Sequence, residues 1–154
     1  MPMLHHYNDG GRKAAGYRGY TGDCVVRSIC IVTGLSYKKV YQAVNLRSRL
    51  ERGKVFRSSA SKGVDTSRVW FKRYMEQLGF VWHHKPPKTW LEATTFGEGC
   101  YIVSMRGHYT AVVYGAVHDT YNPSVGKKKR VYGYWAKRDP LDEQPATAVS
   151  STQN

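Results

Sequence analysis

Gly107-His108-Tyr109-Thr110-Ala111-Val112-Val113-Tyr114-Gly115-Ala116-Val117-His118-Asp119-Thr120-Tyr121-Asn122-Pro123 is the stretch on which the reading of the fold turns. β-branched and aromatic residues fill both halves and a glycine interrupts them, the pattern of two antiparallel strands joined by a tight turn. With Gly115-Ala116 as the turn residues, Tyr114 faces Val117, Val113 faces His118 and Tyr109 faces Asn122. Asn122 is then expected beside His108, within reach of an imidazole N–H. In this register Asp119 falls opposite Val112, too far up the hairpin. It becomes the reserve partner if a bulge or a longer turn shifts the pairing.

Strand character continues on both sides of the hairpin. Cys100-Tyr101-Ile102-Val103-Ser104-Met105 and Arg130-Val131-Tyr132-Gly133-Tyr134-Trp135 read as strands, and Phe80-Val81-Trp82 as a short one. Pro86-Pro87 is expected to break the chain, with a brief helical turn from Thr89-Trp90-Leu91. The N-terminal half is helical. One helix runs from Cys24 to Thr33 and stops at Gly34. A second follows Ser36 as N-cap, carries Tyr37, Val40, Tyr41 and Val44 on one face, and extends to Leu50. A third, capped by Asp65 or Thr66, has the apolar stripe Phe71, Tyr74, Met75 and Leu78 and ends at Gly79. Helices first and antiparallel strands afterwards predict an α+β fold. Residues 23–136 form the expected domain, behind an irregular basic arm at 1–22 and ahead of a polar, disorder-prone tail at 137–154. At 154 residues the chain is long enough for a hydrophobic core without disulfide or metal staples.

The chemistry lies at the start of the first helix. In Gly22-Asp23-Cys24-Val25-Val26-Arg27 a loop turns directly into a helix, so Cys24 sits where unsatisfied N–H groups and the helix dipole favour an anion. A free thiol titrates near ~8.5, and such a position favours the reactive thiolate. His108 is placed to pair with it and to carry the proton, and Asn122 to orient the ring. The backbone N–H of Cys24 faces a developing oxyanion. Cys30, in Ile29-Cys30-Ile31-Val32, and Cys100, before Tyr101-Ile102-Val103, read as small core residues. An odd cysteine count is no disulfide framework and fits a reducing, cytoplasmic compartment.

The segments Gly-Asp-Cys opening a helix, Gly-His-Tyr-Thr-Ala-Val-Val and Asn-Pro-Ser-Val-Gly-Lys resemble the papain-like cysteine peptidase superfamily, most of all its bacteriocin-processing, double-glycine leader peptidase branch. They are also similar to segments of small bacteriophage and bacterial proteins. The resemblance implies a papain-like fold, with N-terminal helices packed on a C-terminal antiparallel sheet. It also implies a thiol hydrolase with Cys24 as nucleophile, His108 as proton carrier and Asn122 as third member. The sequence departs from the branch in two places. The glutamine six positions before the cysteine is Arg18 here, and the glycine after it is Val25. Arg18, Tyr20 or Asn8 is then left to donate to the oxyanion.

A net charge of +13, from 24 Lys and Arg against 11 Asp and Glu, favours an acidic partner. An acidic protein or peptide substrate and a nucleic acid both fit. Arg47, Arg49, Arg52, Lys54 and Arg57 cluster around the end of the second helix, and Lys127, Lys128, Lys129 and Arg130 in a turn between strands. Arg12, Lys13 and Arg18 make the arm basic. Interleaved Tyr17, Tyr20, Tyr132 and Tyr134 either stack on bases or pack. His5-His6 and His83-His84 lack a metal-site spacing, no glycine pattern matches a nucleotide loop, and no run reaches the ~20 apolar residues of a membrane span. Neither a metal nor a cofactor is expected. A silent papain-like binding module, or a nucleic-acid-binding protein whose Cys24 is only core, remain the alternatives to an enzyme.

Overall fold

The computed structural model describes residues 2–19, 22–51, 59–127 and 129–138. Tyr20, Arg52, Lys54, Arg57, Lys128 and the tail from 139 lie outside the described residues. The fold is α+β. Three helices precede most of the strands: α1 (Cys24–Thr33), α2 (Tyr37–Leu50) and α3 (Val69–Gln77). Gly34 ends α1 at φ 75, and its N–H reaches the Cys30 carbonyl at 2.9 Å, a closure that an L side chain would strain. Ser36 caps α2 by accepting from the Lys39 N–H at 3.1 Å. Arg68, rather than Asp65 or Thr66, precedes α3. Asp65 instead spends its carboxylate on the N–H and hydroxyl of Ser67.

Among the described residues six strands form one sheet: β1 (His5–Tyr7), β2 (Phe80–Trp90), β3 (Cys100–Met105), β4 (His108–Val113), β5 (Ala116–Asp119) and β6 (Arg130–Lys137). Their order across the sheet is β1-β5-β4-β3-β6-β2, with β1 parallel to β5 and the other pairs antiparallel. The arm is therefore not wholly irregular. His5, His6 and Tyr7 pair with Val117, His118 and Asp119. β2 also runs past Pro86-Pro87, which do not break it. Prolines lack a donor N–H, so an edge position and the register shift between His84 and Thr89 accommodate them. Leu91–Ala93 then forms a single 3-10 turn.

The sheet buries both faces. The helices cover one, where Val26, Ile29, Val40, Val44, Phe71, Met75, Phe80, Ile102 and Tyr109 make the main core. Leu91, Val103, Met105, Val112, Val117 and Val131 form a second cluster, against which Met3 and Phe96 pack. Cys30 is buried as expected, whereas Cys100 is half-buried.

The hairpin departs from its expected register. Val113 pairs with Ala116, Val112 with Val117 and Ala111 with His118, which makes Tyr114-Gly115 the turn. Both have positive φ, 47 for Tyr114 and 82 for Gly115, the conformation of a turn whose twist matches that of the flanking strands. Glycine takes the second turn position instead of the first. Asp119 thereby moves down beside Thr110, whose hydroxyl donates to it at 2.6 Å.

Candidate active site

Cys24 is the first residue of α1, and α1 packs mainly on β4. That docking brings the half-buried sulfur to the start of the strand, where the Tyr109 N–H donates to Sγ at 3.4 Å. His108 opens β4 and directly precedes Tyr109, whose N–H touches the Cys24 sulfur. On the far side its Nε2 lies 2.6 Å from Asp119 Oδ2. With Nε2 engaged by the carboxylate, Nδ1 is the ring nitrogen left to face the sulfur. Sulfur, imidazole and carboxylate thus gather at the head of β4.

Asn122 is not the residue at the imidazole. β5 ends at Asp119, and Asn122 lies beyond it, tying down the N-terminus. Its Nδ2 donates to the Met3 carbonyl at 3.0 Å, and its Oδ1 accepts from the N–H and hydroxyl of Ser124. The cause is the two-residue change of hairpin register, which puts the reserve residue, Asp119, at the ring.

Four residues hold the Asp119 carboxylate. His108 and Thr110 reach Oδ2, while the Thr120 N–H at 2.7 Å and Arg27 Nη1 at 3.3 Å reach Oδ1. Burial would raise its pKa, but the bond and charge of His108, then Thr110 and the Thr120 N–H, lower it below 3.8. Burial likewise opposes the charged form of His108, and Asp119 and the neighbouring Cys24 override it, raising the imidazole above 6.5. Burial pushes the Cys24 thiol up. His108, the Tyr109 N–H and the Arg27 charge outweigh it, so the thiol falls below its ordinary 9.0. All three shifts favour thiolate facing imidazolium. Cys30 differs: burial and the Asp23 charge push it up to about 12, leaving an inert thiol.

Behind the reacting groups lies a set of buried charges. Asp23 and Arg27 are 1% and 6% exposed. Arg27 Nε is 3.1 Å from Asp23 Oδ1, close enough for an ion pair but without hydrogen-bond alignment. The Tyr37 hydroxyl donates to Asp23 Oδ2 at 2.5 Å, and Arg12 Nε of the arm lies 3.2 Å from the same oxygen. Tyr121 sets its ring 5.0 Å from that of His108, and its hydroxyl is pushed up to about 12 by burial and by the Asp119 and Cys24 charges. Arg27 had a legible signal, as the one cation within Val25-Val26-Arg27-Ser28-Ile29-Cys30-Ile31-Val32. Asp23 had a weaker one, adjacent to the cysteine.

The Cys24 N–H belongs to the first turn of α1, where no intrahelical carbonyl accepts it, and Asp23 makes no side-chain cap bond. Arg18 is exposed on the arm. Of the basic residues, Arg47 lies 4.8 Å over the Tyr74 ring and Arg130 5.5 Å over that of Trp90, so each also packs. Arg49 is exposed, Lys129 is half-buried, and Lys127 ends a 3-10 turn. Among the described residues no group of three or more His, Cys, Asp or Glu could hold a metal ion, and no helix is long and apolar enough to cross a membrane.

No family model, curated protein or solved structure matches the chain.

Proposed function

We propose that the chain is a papain-like thiol hydrolase acting on an amide bond, peptide or isopeptide, through Cys24, His108 and Asp119. The observation that carries this reading is the gathering of Cys24, His108 and Asp119 at the head of β4, with Nε2 at 2.6 Å from the carboxylate and the Tyr109 N–H on the sulfur. The Cys24 thiolate attacks the carbonyl carbon, and the Cys24 N–H receives the developing oxyanion. The His108 imidazolium gives its proton to the leaving nitrogen as the C–N bond breaks, leaving a thioester on Cys24. The now neutral imidazole takes a proton from water, whose oxygen attacks the thioester. Release of the acid restores thiolate and imidazolium. Asp119 stays ionised throughout, orienting the ring and stabilising its charged form.

The charge of +13 favours an acidic protein or peptide as substrate, and free thiols suit a cytoplasmic compartment, that of the host cell if a bacteriophage encodes the chain. The basic residues supply a second route to a partner, nucleic acid. A silent papain-like binding module is the competing reading, favoured by the exposed Arg18 where a glutamine completes the oxyanion site of the similar enzymes.

Iodoacetamide at pH about 6 to 7 tests the proposal. Cys24 should be alkylated ahead of Cys30 and Cys100, and His108→Ala should slow it about tenfold or more. Equal, slow labelling of the three thiols defeats the enzyme reading. Full biological effect in Cys24→Ala selects the binding module.

A further inference from the structure

The Asp119 carboxylate has its two oxygens divided between two tasks. Oδ2 serves His108 and Thr110, while Oδ1 serves Arg27 and the Thr120 N–H. A carboxylate held in this way cannot turn in its plane without breaking bonds on both sides. The Arg27 side chain supplies the farther half of that hold. Its Nη1 donates to the Thr120 hydroxyl at 2.7 Å and lies 3.3 Å from Asp119 Oδ1, while its Nε faces Asp23 Oδ1 at 3.1 Å. One planar fork therefore links the residue before the nucleophile to the residue behind the imidazole.

The fork is itself fixed. Arg27 stands one helical turn beyond Asp23, with its N–H on the Asp23 carbonyl at 3.0 Å. Tyr37 from α2 and Arg12 from the arm hold Asp23 from the other side. The arm lies tightly over this turn of α1. At Gly10, φ 68, an added Cβ would come 2.9 Å from the Arg27 carbonyl oxygen. Asn8 meanwhile donates its N–H to the Asp119 carbonyl at 3.0 Å. The charged or titratable groups around the reacting pair, among the described residues, are Asp23 just before α1, Arg27 from α1, Tyr109 from β4, Asp119 from β5, and Tyr121.

We infer that Arg27 is a positioning residue: its guanidinium, spanning Asp23, Asp119 and Thr120, fixes the Asp119 carboxylate so that Oδ2 meets His108 and the ring stays aimed at Cys24. This rests on the thiol-hydrolase reading. The role needs a planar fork and not only a positive charge. A lysine ammonium is a point charge and cannot span three oxygens in that geometry.

The test is the pH profile of iodoacetamide alkylation at Cys24 in the full chain, read from the Cys24 peptide by mass spectrometry, for the wild type, Arg27→Lys, Arg27→Met and His108→Ala. Arg27→Lys keeps the charge and should melt near the wild type. Its acid limb should nevertheless move toward higher pH, so that the rate at pH about 6 falls roughly tenfold while the rate above pH about 9 is unchanged. Arg27→Met should move it at least as far. A profile for Arg27→Lys that overlays the wild type, while His108→Ala shifts, overturns the inference and leaves the hydrolase reading standing. If Arg27→Met does not fold, Arg27→Lys alone decides. A wild type with no preferential reaction at Cys24 overturns both.

Discussion

Two buried regions meet along α1. On one side Val26, Ile29, Phe71, Met75, Phe80 and Ile102 form a dry core whose members are fully buried. On the other, Arg12, Asp23, Arg27, Asp119 and His108 alternate in charge as they lead to Cys24. The dry side gains stability from area removed from water, a contribution that is non-directional and tolerant of shape changes. The charged side gains little net stability for its burial, because desolvation offsets much of the attraction. What it supplies is direction, since each group is held by named partners at fixed distances. The same helix thus carries the residues that hold the fold and those that aim the sulfur.

The largest expected effect comes from breaking the charged side at its centre. Asp119→Ala leaves Arg27 and His108 buried without their shared anion, a loss of about 3–5 kcal/mol in chemical denaturation. It should also remove the preferential alkylation of Cys24. Phe71→Ala should destabilise by a similar ~3–5 kcal/mol through its cavity. The two part company in the alkylation profile, which the core variant should leave unmoved. Comparable loss of Cys24 reactivity in folded Phe71→Ala would erase the distinction.

Acidity sharpens it further. Asp119 has a folded pKa below its unfolded 3.8, so its contribution is complete above that value and is lost as pH falls through the lower one. His108 has the opposite sign. Its folded pKa lies above 6.5, so its contribution is complete below 6.5 and fades as pH rises through the raised value. Denaturation of Phe71→Ala should keep both slopes. Asp119→Asn should flatten the acid one, and a wild-type slope retained there would assign acid sensitivity elsewhere.

The smallest effect belongs to Asn122→Ala. Removing its bonds to Met3 and Ser124 should cost about 1 kcal/mol by releasing the N-terminus. The Cys24 profile should not change. A shift of its acid limb would return Asn122 to the catalytic group.

The helical half was largely legible because its boundaries are set by local chemistry. Gly34 and Ser36 mark the end of α1 and the start of α2 by conformational freedom and by a single hydroxyl. The carboxylate partner of His108 was not legible to the same degree. Gly115 is compatible with either turn position, and each choice puts a different polar residue beside His108. Only the twist of the assembled strands selects Tyr114-Gly115. β1 left no signal, since three polar residues show no periodicity and their strand form depends on β5. Arg27 could be seen as out of place in an apolar helix, but two of its partners, Asp119 and Thr120, lie far away in sequence.

The open sheet ends in two rims with different defences. One is β1, only three residues long, and the other is β2, where Pro86 and Pro87 offer no N–H and the register shift interrupts the ladder. Neither rim presents a long, regular row of donors and acceptors to a neighbouring molecule. Short edges, prolines and interrupted ladders are the features that disfavour edge-to-edge pairing of sheets.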